Sequence, residues 1–239
     1  MLKKTGFTII LVMVSMVAVR SQAYNQLSET EKKDGWKLLF DGKSSAGWHT
    51  YNKKTFGPAW TVVNGTLFCD STVQIPKGEE GDICTEKEYE NFDLKYSWKI
   101  APGGNSGVMF LVQESLKLDA PYLSGPEMQV LDNDGHPDGK IHKHRAGDLY
   151  DLIASTSEPV HAVGKWNDAE IKLDHGKLSL FLNGVNIVNT TLWDASWYAL
   201  VKGSKFNQWP TFAKLKKGHI DLQDHHCDVW FRDVKIKTL

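Results

Sequence analysis

Cysteine is scarce. Cys69, Cys84 and Cys227 are the three in a chain of 239 residues, too few for a disulfide-built fold and too widely spaced for a zinc signature. One pair can be bridged in an oxidising compartment, but the odd count leaves at least one thiol free. An excess of basic charge is also missing: 28 Lys and Arg stand against 29 Asp and Glu. That balance does not favour polyanions, which argues against nucleic acid as a partner. The longest apolar run, residues 7–19, falls short of the roughly 20 residues a bilayer-spanning helix needs. It follows the basic start Met1-Leu2-Lys3-Lys4 and precedes the small residues around Ser21-Gln22-Ala23, the pattern of a signal peptide over residues 1–23. The protein is therefore expected to be exported, periplasmic or secreted, with no stable membrane insertion after cleavage. No cysteine follows the expected cut, so a lipoprotein anchor is not supported. Removing Lys3, Lys4 and Arg20 leaves 25 basic residues against 29 acidic ones, a net charge of −4 for residues 24–239, which read as a single domain.

Helical periodicity is rare as well. No helix recurs after each strand, which argues against a doubly wound sheet or a TIM barrel. The glycines of Ala101 to Val112 lack the lysine and spacing of a phosphate-binding loop. Period-two alternation dominates instead. In residues 92–100, Phe92, Leu94, Tyr96, Trp98 and Ile100 share one face, while Asp93, Lys95, Ser97 and Lys99 share the other, a half-buried strand with a solvated back. Asn64-Gly65, His175-Gly176 and Asn183-Gly184 each separate short apolar segments, the signal of tight hairpins. Residues 219–239 read as two strands around the polar corner 224–228, and residues 192–217 as an excursion with one short helix. The pattern predicts an all-β sandwich of jelly-roll type with a few short helices in loops.

Three segments place polar residues at alternate positions: Glu127 and Gln129; Asp221, Gln223 and His225; and the crowded stretch His144, Arg145, Asp148, Tyr150, Asp151. On a curved sheet these positions line a groove, where carboxylates and amides bind sugar hydroxyls and histidine moves protons near neutral pH. Nine tryptophans offer platforms for apolar sugar faces. The bland alternatives are a solvated strand face, a structural pair between Glu127 and Arg232, and turn-forming roles for Asp132, Asn133 and Asp134. No cofactor is firmly predicted. A divalent cation stays an open alternative, calcium at Asp132–Asp134 or a transition metal at His142 and His144, whose spacing would point two ligands to one side of a strand.

Several motifs occur in a telling order: WKLLFDGKSSAGWHTY, WTVVNGTLFCD, GGNSGVMFLV, GPEMQVLDNDGHPDG, HRAGDLYDLIA, WNDAEIKL, FLNG and GHIDLQDHHCDVWFRDVKI. In them the chain resembles the 3-keto-disaccharide hydrolase family over nearly all of residues 35–239. The resemblance implies a concanavalin A-like lectin/glucanase sandwich, export, and a 3-keto-glycoside or other oligosaccharide as substrate. It carries a polar signature onto Asn105, Glu127, Gln129, Asp132, Asn133, His144, Arg145, Tyr150, Lys205, Gln223, His225 and Arg232. His226-Cys227 replaces the glycine that many relatives carry after the histidine, which leaves the shape of that turn open.

The chemistry follows from residue types. Glu127 and Asp132 lie five apart, on opposite faces of a regular strand, unlike the paired carboxylates of ordinary glycosidases. A ketone at C3 acidifies the C2 proton, so one base suffices to start elimination of the C1 substituent. Glu127 or His144 is the candidate base, and His225 or Tyr150 the candidate acid. Arg145, Lys205 or a divalent ion is the candidate enolate partner, with Asn105, Gln129, Asp132, Gln223 and Arg232 binding substrate. The rival reading is a carbohydrate-binding protein without turnover, favoured if Glu127 and Arg232 pair tightly. Residues 113–122 and 197–212 are the loops expected to select the sugar.

Overall fold

The computed structural model describes residues 24–75 and 81–239. The expected signal peptide, residues 1–23, lies outside the described residues. The strands in chain order are Lys37–Leu38 (β1), Trp48–Thr50 (β2), Trp60–Val63 (β3), Thr66–Cys69 (β4), Ile83–Tyr89 (β5), Phe92–Ile100 (β6) and Asn105–Val112 (β7). They continue with Glu127–Leu131 (β8), Asn167–Asp174 (β9), Lys177–Leu182 (β10), Val185–Thr191 (β11), Gly218–Leu222 (β12) and Val229–Thr238 (β13). Two short α-helices, Glu29–Lys33 (α1) and Ala195–Lys202 (α2), and three single 3-10 turns decorate the loops. This is the all-β sandwich read from the alternation.

The strands form two antiparallel sheets. The larger runs β11-β10-β9-β6-β13-β4-β3, with β1 also paired to β13; the smaller runs β2-β5-β12-β7-β8. All three expected hairpins are present: Asn64-Gly65 joins β3 to β4, His175-Gly176 joins β9 to β10, and Asn183-Gly184 joins β10 to β11. In each the asparagine or histidine has φ near +50° and the glycine φ between 75° and 85°. Two consecutive left-handed residues match the twist of the flanking strands.

The core lies between the sheets. Phe92, Leu94, Tyr96, Trp98 and Ile100 of β6 are all buried, and meet Val108 and Phe110 of β7, Met128 and Val130 of β8, and Ile220 and Leu222 of β12. Phe92 packs edge-on against Phe110 at 6.3 Å, and the Tyr96 hydroxyl reaches Met128 Sδ at 3.3 Å. The back of β6 is less wet than its charged residues suggested. Lys95 lies over the Trp36 ring at 4.9 Å and Lys99 over Trp230 at 4.1 Å, their stems covering apolar surface while the ammonium groups meet ring faces.

In the smaller sheet every residue of β7, β8 and β12 is buried. That overturns the solvated-face reading of Glu127 and Gln129. Chain connectivity then sets the site: β12 belongs to the smaller sheet and β13 to the larger, so residues 223–228 carry the chain from one layer to the other past the rim of β7.

Candidate functional site

The floor of the site is the outer face of β7 and β8. Register pairs Met109 with Glu127 and Gly107 with Gln129, so Glu127 and Gln129 emerge beside each other, away from the core-facing Met128 and Val130. A glycine makes room for the carboxylate: a Cβ built on Gly107 would sit 1.9 Å from Glu127 Oε1. With its nitrogen turned toward Glu127, the Gln129 amide donates to Glu127 Oε1 at 2.8 Å and to the Ser106 carbonyl at 3.2 Å. The segment after β8 folds back against its edge. Tyr150 N donates to the Glu127 carbonyl at 3.0 Å, and Gly147 N donates to the Gln129 carbonyl at 2.8 Å. Asp148 holds this return, its carboxylate accepting from Arg145 N at 2.8 Å and from Ser155 N at 2.7 Å.

Above the floor lies a cavity of about 220 Å³ lined by Asn105, Tyr122, Gly125, Glu127, Gln129, Asp138, Tyr150, Lys205, Phe206, Trp209, Gln223 and His225. One wall is aromatic: Trp209 packs against Tyr122 at 5.3 Å and against Phe206 at 5.5 Å, with Phe206 stacked on Phe212 at 3.9 Å. An aromatic wall facing amides and carboxylates suits a molecule with apolar and hydroxylated faces. The segment that carries Phe206 also brings charge, with Lys205 Nζ 5.4 Å from the centre of the Phe206 ring. Lys205 Nζ lies 4.1 Å from the centre of the Tyr150 ring, whose other neighbour is His144 at 4.3 Å.

Burial dominates the electrostatics. Glu127 is 7% exposed, and its carboxyl is pushed up to about 8, first by desolvation and then by Asp82, with Lys205 acting in the opposite direction. The Tyr150 hydroxyl is raised by burial and by Glu127. Behind the floor, burial pushes Asp82 up to about 7. Asp221 is held well above the usual carboxylate range by burial and by Asp82.

Seven sequence-predicted residues converge on the cavity: Asn105, Glu127, Gln129, Tyr150, Lys205, Gln223 and His225. Five others stand elsewhere. His144 sits behind the lining, its Nδ1 3.3 Å from Asp138 and its Nε2 3.0 Å from Asp151, on a loop and not on the strand that a paired ligand role for His142 and His144 presumed. Arg145 pairs with Glu158 at 2.6 Å and donates to the Gly139 carbonyl. Asp132 is a turn former, accepting from Gly103 N at 2.7 Å, Gly135 N at 3.0 Å and Asp134 N at 3.2 Å. Asp221, expected beside Gln223 in the groove, is fully buried against Cys84 at 3.0 Å. Among the described residues, no group of three or more His, Cys, Asp or Glu side chains is arranged to hold a metal ion.

Arg232 is the clearest correction. It belongs to β13 in the larger sheet, where its guanidinium lies between the rings of Tyr24 at 3.4 Å and Trp166 at 3.8 Å. It neither lines the Glu127 cavity nor pairs with Glu127. Arg232→Ala is therefore expected to lower stability by about 1–3 kcal/mol through lost stacking. Turnover should stay at the wild-type level, with urea denaturation and a sugar-release assay giving the two readouts. The sequence reading in turn missed Asp138 and Gly125. Asp138 lies beside a glycine in a turn-like run, and only the packing of that turn brings it to the lining.

A two-sheet sandwich whose smaller sheet carries a polar, aromatic-walled cavity has the form of a carbohydrate site, and the matches to known proteins place it in a glycoside-hydrolase fold family. Residues 35–237 match the 3-keto-alpha-glucoside-1,2-lyase-like domain, and the chain belongs to that family. It is 35% identical over 229 residues to a 3-keto-disaccharide hydrolase of Bacteroides thetaiotaomicron, covering 86% of this chain and 79% of the relative. A candidate glycosyl hydrolase from Parabacteroides distasonis, known as a crystal structure, is 32% identical with a TM-score of 0.83, covering 91% of this chain and all of the other. A second from the same organism, 24% identical with a TM-score of 0.63 over 85% of this chain and 99% of its own, shares the fold.

Proposed function

We propose that this protein cleaves glycosides whose sugar is oxidised at C3, with Glu127 as the base that removes the C2 proton. The observation carrying this reading is a nearly buried carboxyl, raised to about 8, at the floor of a sugar-compatible cavity beside a lysine. A base of that strength suits a proton made acidic by a neighbouring ketone, and desolvation sharpens its reactivity. The second carboxylate of the lining, Asp138, is engaged by His144 at 3.3 Å, which supports a one-base scheme over the two free carboxylates of an ordinary glycosidase.

Glu127 takes the C2 proton, and the electron pair moves into the C2–C3 enolate, leaving negative charge on the C3 oxygen. Lys205 is the cation of the lining suited to that charge. The enolate collapses to the ketone, forming the C1–C2 double bond as the C1–O bond breaks. His225, at the rim, protonates the departing oxygen, with the Tyr150 hydroxyl as the alternative donor. Addition of water at C1 and return of the proton to C2 complete hydrolysis; release before hydration gives the lyase product. The rival reading, binding without turnover, loses the Glu127–Arg232 pair that would have favoured it.

The test compares leaving-group release from a 3-keto-disaccharide and from its unoxidised parent between pH 6 and 9. The base works ionised, so kcat/KM for the keto sugar is expected to rise with pH through about 8. The parent should stay inert. Equal cleavage of both sugars, or a rate falling across that window, contradicts the scheme.

A further inference from the structure

We infer that the open chamber beside the catalytic cavity is the leaving-group subsite, shaped for an uncharged pyranose. This rests on the reading of Glu127 given above. A second cavity, of about 510 Å³, shares Tyr122, Gln223 and His225 with the first. These three residues thus mark a boundary between two adjoining hollows, one walled by the base and one open to solvent. A disaccharide threaded through both puts its glycosidic oxygen at that boundary, beside the imidazole of His225.

The outer wall of the second chamber is prebuilt. Residues 113–122 form a lip that Tyr51 and Asn52 fasten from beneath. The Tyr51 hydroxyl donates to the Gln113 carbonyl at 2.9 Å, and Asn52 Nδ2 donates to the carbonyls of Ser115 at 3.0 Å and Leu118 at 2.9 Å. Asn52 N donates to Glu114 Oε1 at 2.6 Å, and the same oxygen meets His49 Nε2 at 2.9 Å. A lip held at this many points keeps its shape before ligand arrives, which lowers the ordering cost of binding.

On this fastened lip Leu116 is 92% exposed. An isolated exposed leucine is ordinary, but this one lines a cavity continuous with a sugar site, where the apolar face of a ring would cover it. The chamber is also acidic: Asp119, on the same lip as Leu116, and Asp224 line it, and Lys53 is the single lysine or arginine among its described lining residues. Carboxylates accept from sugar hydroxyls but repel anions. The subsite therefore takes a neutral sugar and rejects a uronate or phosphorylated one.

Kinetics of wild type, Leu116→Ser and Asp119→Lys would test this on 3-keto-glucosides carrying methyl, glucose or glucuronate as leaving group. Leu116→Ser is expected to raise KM about fivefold for the glucose compound and leave the methyl glycoside unchanged. Asp119→Lys should narrow the preference for glucose over glucuronate about tenfold. Loss on both substrates alike, or on neither, overturns the subsite. Should wild type release nothing, the chemical reading fails on its own. Calorimetric titration with the unoxidised disaccharide then decides the subsite: weaker binding by Leu116→Ser upholds it, while equal binding or none overturns it.

Discussion

Glu127→Gln is expected to lower kcat on a 3-keto-glucoside by about 10³-fold, within the usual range for losing a general base, with KM nearly unchanged. Glutamine preserves the shape and hydrogen-bonding reach of the side chain but has no basic oxygen. The fold should survive, and stability should separate chemistry from damage. The Glu127 carboxyl is raised from 4.5 to about 8 in the folded protein. Because its folded value exceeds its unfolded one, its contribution is fully present below about pH 4.5 and is lost as pH rises through 8. The variant lacks this loss, so its melting temperature should gain on wild type between pH 5 and pH 8.5. A variant that melts lower throughout and loses KM as well as kcat would mean that Glu127 holds the cavity together and does not act as its base.

Gly107→Ala is expected to reduce kcat about 100-fold. The new Cβ would stand 1.9 Å from Glu127 Oε1, 2.6 Å from its Cδ and 2.7 Å from its Cγ, so the carboxylate must leave its place over the strand. Gly107 is not among the residues with positive φ, so its backbone tolerates alanine and the conflict is one of space. Crowding in a tightly packed layer costs about 1–3 kcal/mol, measurable by denaturation. The double variant Gly107→Ala with Glu127→Asp shortens the acid by one methylene and relieves the contact. Partial recovery of kcat would tie the loss to the carboxylate's position; no recovery would assign it to a distorted sheet.

Much of this architecture was legible because strands write themselves at period two. The β6 alternation and the Asn-Gly and His-Gly turns need only local sterics, and each lies where the spacing put it. The convergence of Glu127 and Gln129 with Gln223 and His225 was also readable, as alternate positions on two segments. What period two does not report is the sheet to which a strand belongs. Arg232 alternates with Trp230 just as Glu127 alternates with Met128, yet the chain changes layers between β12 and β13, and that separates them. Nor does alternation reveal burial on both sides: a solvated face stayed an alternative for Glu127 because the return of residues 144–153 along the edge of β8 is a tertiary event. Gly107 gave no distinct signal either, since its importance is the volume it leaves to another residue's side chain.

The division of labour between a rigid sheet and pinned loops has a consequence for divergence. Strands packed on both faces tolerate few changes, so the proton-transfer geometry drifts slowly among descendants of this fold. The lip over the open hollow makes few core contacts at its tip and accepts insertions and new side chains cheaply. Preference for the departing sugar can thus be rewritten by a handful of loop mutations, leaving the reaction itself untouched.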